Sequence, residues 1–161
     1  MNDEVRRAVL QRIPYALFVV GARSADSGEM TAYAGNWLTQ TSFEPPLVVL
    51  GARAEGDGYR LIRDGGVLSV NFLPRTGGEE IARHFFEPPA LGDGTLGGVP
   101  FRLGTTGAPL LDPAAAWFEA QVRHVVEMGD HHVVVAEVVD AGVRSDEPIL
   151  HLGDTPWSYG G

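Results

Sequence analysis

The chain has 161 residues, 44% of them apolar, with 21 glycines and a formal charge of −9. That length supports one domain with its own core, and the acidic balance excludes a nucleic-acid binder or a protein held on an anionic membrane surface. No cysteine is present and all 12 basic residues are arginine, which excludes thiol catalysis, iron–sulfur and cysteine–zinc sites, Schiff-base chemistry and a Walker lysine.

In chain order, Asn2 or Asp3 caps a short helix through Gln11, stopped by Pro14. Residues 15–23 (YALFVVGAR) read as a strand, residues 24–29 as a turn and residues 30–37 (MTAYAGNW) as a returning strand. The stretch Asn36–Ser42 concentrates an indole, two amides and three hydroxyls without a charge. The apolar run 47–53 (LVVLGAR) is a short strand. One or two helical turns follow AEGDG and stop at Gly65-Gly66. Residues 67–73 (VLSVNFL) alternate as a strand, and Thr76-x-x-Glu79 matches a capping box before EEIARHFF. Residues 90–116 read mostly as loop, with a short strand at VPFRL. Two long strands close the pattern, 117–128 and 131–143, joined by a hairpin-like turn. In the first, Phe118, Ala120, Val122 and Val126 are expected on one side. No signal-peptide core or long apolar run is present, so the location expected by default is cytoplasmic.

The literal GxGxxG at Gly92, Gly94 and Gly97 lacks the preceding strand and following helix of a dinucleotide fingerprint and reads as a loop. His131 and His132 are adjacent in a strand and point to opposite faces, which argues against a shared metal ion. No serine-hydrolase elbow exists. The neutral polar stretch remains. Asn36, Thr39, Gln40, Thr41 and Ser42 can bond the edge of a planar polar ligand, with Trp37 as apolar cover. A polar edge strand with a core tryptophan would show the same composition.

Taken together, IPYALFVVGA (13–22), MTAYAGNWLTQTSFEPPLVVLGAR (30–53), LSVNFLP (68–74), ARHFF (82–86) and GDHHVVVAEVVDAGV (129–143) resemble the flavin reductase-like, FMN-binding split-barrel family. The closing WSYGG (157–161) is similar to one branch of it. The resemblance covers the chain nearly end to end. It implies a mainly β fold, a six-stranded antiparallel split barrel with Greek-key connections and short flanking helices, as a single domain over residues 1–161. It further implies a homodimer that binds FMN, with FAD as the alternative flavin. NADH or NADPH is the hydride donor, and a flavin-dependent monooxygenase is a possible recipient of reduced flavin.

Carried onto this sequence, the resemblance assigns Asn36, Trp37, Leu38, Thr39, Gln40 and Ser42 to the isoalloxazine edge. Arg53, Gly56, Asp57 and Gly58 fall in the phosphate loop, Phe85 in the pocket wall, and His131 on the nicotinamide side as the catalytic residue. Relatives often place Ser or Thr in the phosphate loop. Here backbone N–H groups and Arg53 must serve instead, beside the carboxylates of Glu55 and Asp57. Two other readings stay open: a flavin-bound electron carrier, and a ligand-free split barrel that acts as an interaction module.

Overall fold

A computed structural model describes residues 1–161. Helix α1 (Asp3–Leu10) is capped by Asn2, whose side chain accepts from the N–H groups of Glu4 and Val5. Strands β1 (Phe18–Arg23), β2 (Met30–Gly35), β3 (Leu38–Ser42) and β4 (Leu47–Arg53) follow, then α2 (Asp57–Gly65) and β5 (Val67–Phe72). Helix α3 (Gly78–Arg83) precedes three short strands, β6 (Thr95–Leu96), β7 (Val99–Leu103) and β8 (Pro109–Leu111). The long strands β9 (Ala116–Val126) and β10 (His131–Val143) and a single 3-10 turn at Leu152–Asp154 complete the chain. No helix is long and apolar enough to cross a membrane.

The main sheet has seven antiparallel strands in the order β2-β1-β5-β9-β10-β4-β3. Its two edges, β2 and β3, are consecutive in sequence and joined only by Asn36 and Trp37. A two-residue link spans roughly 10 Å at most, so the sheet must curl until its edges meet at this seam. The result is a split, barrel-like sheet. The strand count exceeds the expected six because residues 38–42 pair with β4 as an edge strand. The Gly- and Pro-rich stretch also forms a small three-stranded sheet, β6-β7-β8.

One core cluster fills the concave side, with Phe18, Leu50, Leu68, Val70, Phe118 and Val134 among its members. Helix α2 touches β1, β2, β4, β5 and β9 and adds Tyr59, Leu61 and Ile62 to that cluster. Leu17, Val19, Leu73, Phe85 and Leu111 belong to a second cluster on the outer side. Strand β1 is therefore buried on both faces, which its continuous apolar run allows.

Two sequence expectations are corrected. Val126 does not share the inward side of β9. The register shifts so that Val122 faces Ala136 while His124 faces Val135. Arg123 is the extra residue of this bulge, and past it Val125 packs on the core while Val126 is exposed. The capping box at Thr76 does not form either. Gly77 is the N-cap of α3, at φ 76°, with no side-chain cap bond. The Thr76 N–H donates instead to Glu147 Oε1 at 2.9 Å. Bonding by Thr76 holds the Glu147 carboxyl below its ordinary range.

Glu119 of β9 is fully buried. Its carboxylate accepts from the Thr105 N–H at 2.7 Å, the Thr106 N–H at 2.8 Å and the Thr106 hydroxyl. A Cβ at Gly104 would lie 2.2 Å from that carboxylate, so the loop approaches this closely only with glycine there. Glu119→Ala is expected to cost about 2–4 kcal/mol by leaving these donors unpaired. Urea unfolding of the variant measures that loss.

Candidate functional site

A cavity of about 560 Å³ opens along the seam where the sheet edges meet. Strand β2 and the link supply Tyr33, Asn36 and Trp37, the start of α2 supplies Gly56–Tyr59, and β10 supplies His131. Trp37 lies across β4 at Gly51, where a Cβ would sit 3.0 Å from the indole. The Trp37 carbonyl accepts from the Gly51 N–H at 2.9 Å. Tyr33 lies against the second residue of α2, where a Cβ at Gly58 would be 2.3 Å from its ring. The glycines at 51 and 58 thus make the room that the two aromatic walls occupy.

The cavity collects polar groups that have no partner in the protein. Asn36 is only 7% exposed, and its Nδ2 makes no hydrogen bond. The Tyr33 hydroxyl and the Trp37 Nε1 are also buried and unpartnered. Burial, with a smaller contribution from Tyr159, pushes the Tyr33 phenol above its ordinary range, so it stays a neutral O–H donor. Native proteins rarely leave buried donors unpaired without a reason, and three in one cavity call for a ligand rich in acceptors.

At one end of the cavity, α2 begins at Gly56 without a side-chain cap. No protein group accepts from the N–H groups of Asp57, Gly58 or Tyr59. The Gly56 N–H is already bonded to the Arg53 carbonyl at 3.1 Å, which corrects the expectation that it is free; Tyr59 takes its place in the set. With Arg53 at the cavity wall, this end suits an anionic group. The Asp57 carboxylate lies 3.3 Å from Arg60, which also binds Glu29, so its charge is turned toward a cation.

The residues expected from sequence divide in two. Asn36, Trp37, Arg53, Gly56, Asp57, Gly58, Phe85 and His131 line this cavity. Leu38, Thr39 and Gln40 are not brought to it and line a second groove, and Ser42 lines neither. The cause is the edge-strand pairing of residues 38–42, which carries their side chains past the seam. Gln40 Nε2 instead donates to the Ser42 carbonyl at 3.1 Å. Tyr33, Tyr59, Trp157 and Tyr159 line the cavity without having been singled out as site residues. Tyr33 carried one local signal, its place in the strand that leads into Asn36.

His131 and His132 face opposite ways, as their strand position requires. The His132 ring packs edge-on to Tyr59 at 4.6 Å. His131 stacks beside Trp37, ring centres 4.5 Å apart. Its Nδ1 lies 2.9 Å from Asp130 Oδ1 and its Nε2 lies 2.7 Å from the Tyr159 hydroxyl. A carboxylate only accepts, so Nδ1 carries the hydrogen, and in the neutral ring Nε2 accepts from Tyr159.

The Flavin reductase like domain model matches residues 10–156. The chain belongs to this family. A flavin reductase of Pseudomonas putida is 28% identical over 146 residues, covering 89% of this chain and 82% of the relative. The NADH:FAD oxidoreductase SgcE6 of Streptomyces globisporus superposes with a TM-score of 0.79 at 26% identity, over 92% of this chain and 87% of that one. The styrene monooxygenase flavin reductase of Pseudomonas putida S12 superposes with a TM-score of 0.72 at 26% identity, over 87% of each chain. A further curated relative, 28% identical over 120 residues, is spanned over only 37% of its own length. The two superposed structures share the mainly antiparallel fold described above.

Bonding by His131 lowers the Asp130 carboxyl below its ordinary value. A depressed carboxyl contributes stability above its unfolded pKa and loses that contribution as pH falls through the folded one. Asp130→Asn is therefore expected to flatten the decline of the thermal midpoint as pH falls below about 5. Parallel melts of the two proteins across that range check the sign.

Proposed function

We propose that this family member is a flavin reductase, an oxidoreductase that uses NADH or NADPH to reduce FMN or FAD in the seam cavity. The observation that carries the reading is the meeting, in one cavity, of the buried unpartnered groups of Tyr33, Asn36 and Trp37 with the uncapped start of α2. A flavin has acceptor atoms on a planar ring at one end and a phosphate at the other, which fits both features.

In this reading Asn36 Nδ2 and Trp37 Nε1 donate to ring acceptors, and charge growing on the ring is met by donors already in place. Arg53 and the N–H groups of Asp57, Gly58 and Tyr59 receive the phosphate. When bound, the flavin supplies the two-electron acceptor for the nicotinamide hydride. His131 orients the donor, and the Trp37 and Phe85 side chains exclude water from that side. Leu38, Thr39, Gln40 and Ser42, whose side chains lie elsewhere, have no assigned contact.

A homodimer and a partner monooxygenase belong to the same proposal. The second groove, about 530 Å³, is walled by Phe72, Trp117, Phe118 and Val138. Phe43 is 90% and Val143 74% exposed. Apolar surface of this kind suits association with a second copy. The likeness to a styrene monooxygenase flavin reductase supports transfer of reduced flavin to an oxygenase.

Under anaerobic conditions, NADH or NADPH added to the protein with FMN is expected to bleach the flavin bands well above the rate without protein. Bound flavin that neither nucleotide bleaches would favour the carrier reading, and failure to bind FMN, FAD or riboflavin would remove the flavin site itself. Asn36→Ala is expected to weaken flavin binding about tenfold through one lost bond in a dry cavity, read by flavin fluorescence titration.

A further inference from the structure

The last five residues return to the cavity. Trp157 packs edge-on to Phe86, ring centres 4.7 Å apart, and lies 4.8 Å beneath the Arg83 guanidinium. Tyr159 bonds His131 Nε2 at 2.7 Å, with its ring 5.5 Å from that of Trp37. Gly160, at φ 95°, passes the Trp37 indole so closely that a Cβ there would be 3.2 Å from it. Its carbonyl accepts from Gln11 Nε2 at 3.2 Å, and Gly161 lies against Arg7. Helix α1 contributes no buried residue to either core cluster; its Arg7 and its C-cap Gln11 meet the tail.

We propose that residues 157–161 form a strap, clasped by α1, that places Tyr159 on the acceptor nitrogen of His131 in the seat of the hydride donor. The proposal rests on the flavin reductase reading and adds to it a residue that governs access of the nicotinamide. His131 has two ring nitrogens. Asp130 takes the one that carries hydrogen, and Tyr159 takes the other. A carboxamide N–H from a nicotinamide can reach Nε2 only after the Tyr159 hydroxyl leaves it. Asp130 therefore fixes the tautomer that makes Nε2 an acceptor, and Tyr159 competes for that acceptor with the substrate. The strap is suited to leave. Tyr159 is 47% exposed, and its neighbours at 160 and 161 are glycines, held by one side-chain bond and by packing rather than by a sheet ladder.

The test compares wild type, Tyr159→Phe and Gln11→Ala. Tyr159→Phe keeps the ring and removes the competing hydroxyl. It is expected to lower KM for NADH, and the dissociation constant of NAD+ from the flavin-loaded protein, by roughly threefold to tenfold, the worth of one neutral hydrogen bond. Unchanged values overturn the competition, and raised values make Tyr159 part of the donor's seat instead of its competitor. The clasp is read without any ligand. Chymotrypsin under native conditions should cut at Trp157 and Tyr159 several times faster in Gln11→Ala than in wild type, and equal rates overturn the strap. If wild type neither binds nor reduces flavin, the reductase reading fails by itself, while the cleavage rates still decide whether the strap is closed.

Discussion

Asn36 and Trp37 join the two opposite edges of one seven-stranded sheet, and the geometry of the site follows from the shortness of that link. A two-residue tether cannot reach across a flat sheet of this width, so the sheet curls and the seam closes on the tether itself. Asn36 is thereby buried with its amide unspent, and Trp37 is laid across Gly51. Helix α2 then packs inside the curl and brings its bare N-terminus to the same seam. The cavity is a product of closure, not of any single loop.

Charge is used sparingly in this cavity. The chain carries a formal charge of −9, yet the seam presents the neutral donors of Tyr33, Asn36 and Trp37, and the start of α2 presents backbone N–H groups beside Arg53. Asp57 at the cavity wall is paired with Arg60, which it shares with Glu29. Neutral donors in a buried site respond strongly to charge that develops on a bound ligand, because little water is present to screen it.

His131 shows how one side chain acquires its chemistry from a neighbour and from two distant segments. Asp130 precedes it in the turn, Trp37 comes from the tether, and Tyr159 comes from the end of the chain. Its immediate sequence, Gly-Asp-His-His, supplies only the first of these. The adjacent His132 belongs to a different environment, against Tyr59 and the α2 side of the core. Strand alternation separates the two rings, and it is the fold that then gives one an access route and the other a packing role.

Much of this was determined by the sequence itself. The apolar runs at 18–23, 47–53 and 67–72 specified strands because their side chains need burial on one or both faces. Gly65-Gly66 specified the end of α2, and Gly66 adopts the left-handed conformation that such an end requires. The order of these segments with Asn36–Ser42 and Gly129–His131 was enough to point to the flavin reductase family. The tertiary structure alone decided which polar residues share a cavity. Thr39, Gln40 and Ser42 looked equivalent to Asn36 in composition, but edge pairing with β4 carried them past the seam. The bulge at Arg123 exchanged Val126 for Val125 in the core, and Glu147 took the Thr76 N–H that a capping box would have placed in α3. Each of these outcomes depends on strand register or on a partner brought near by folding, such as Glu147 at 71 residues from Thr76, and local pattern carries no term for either.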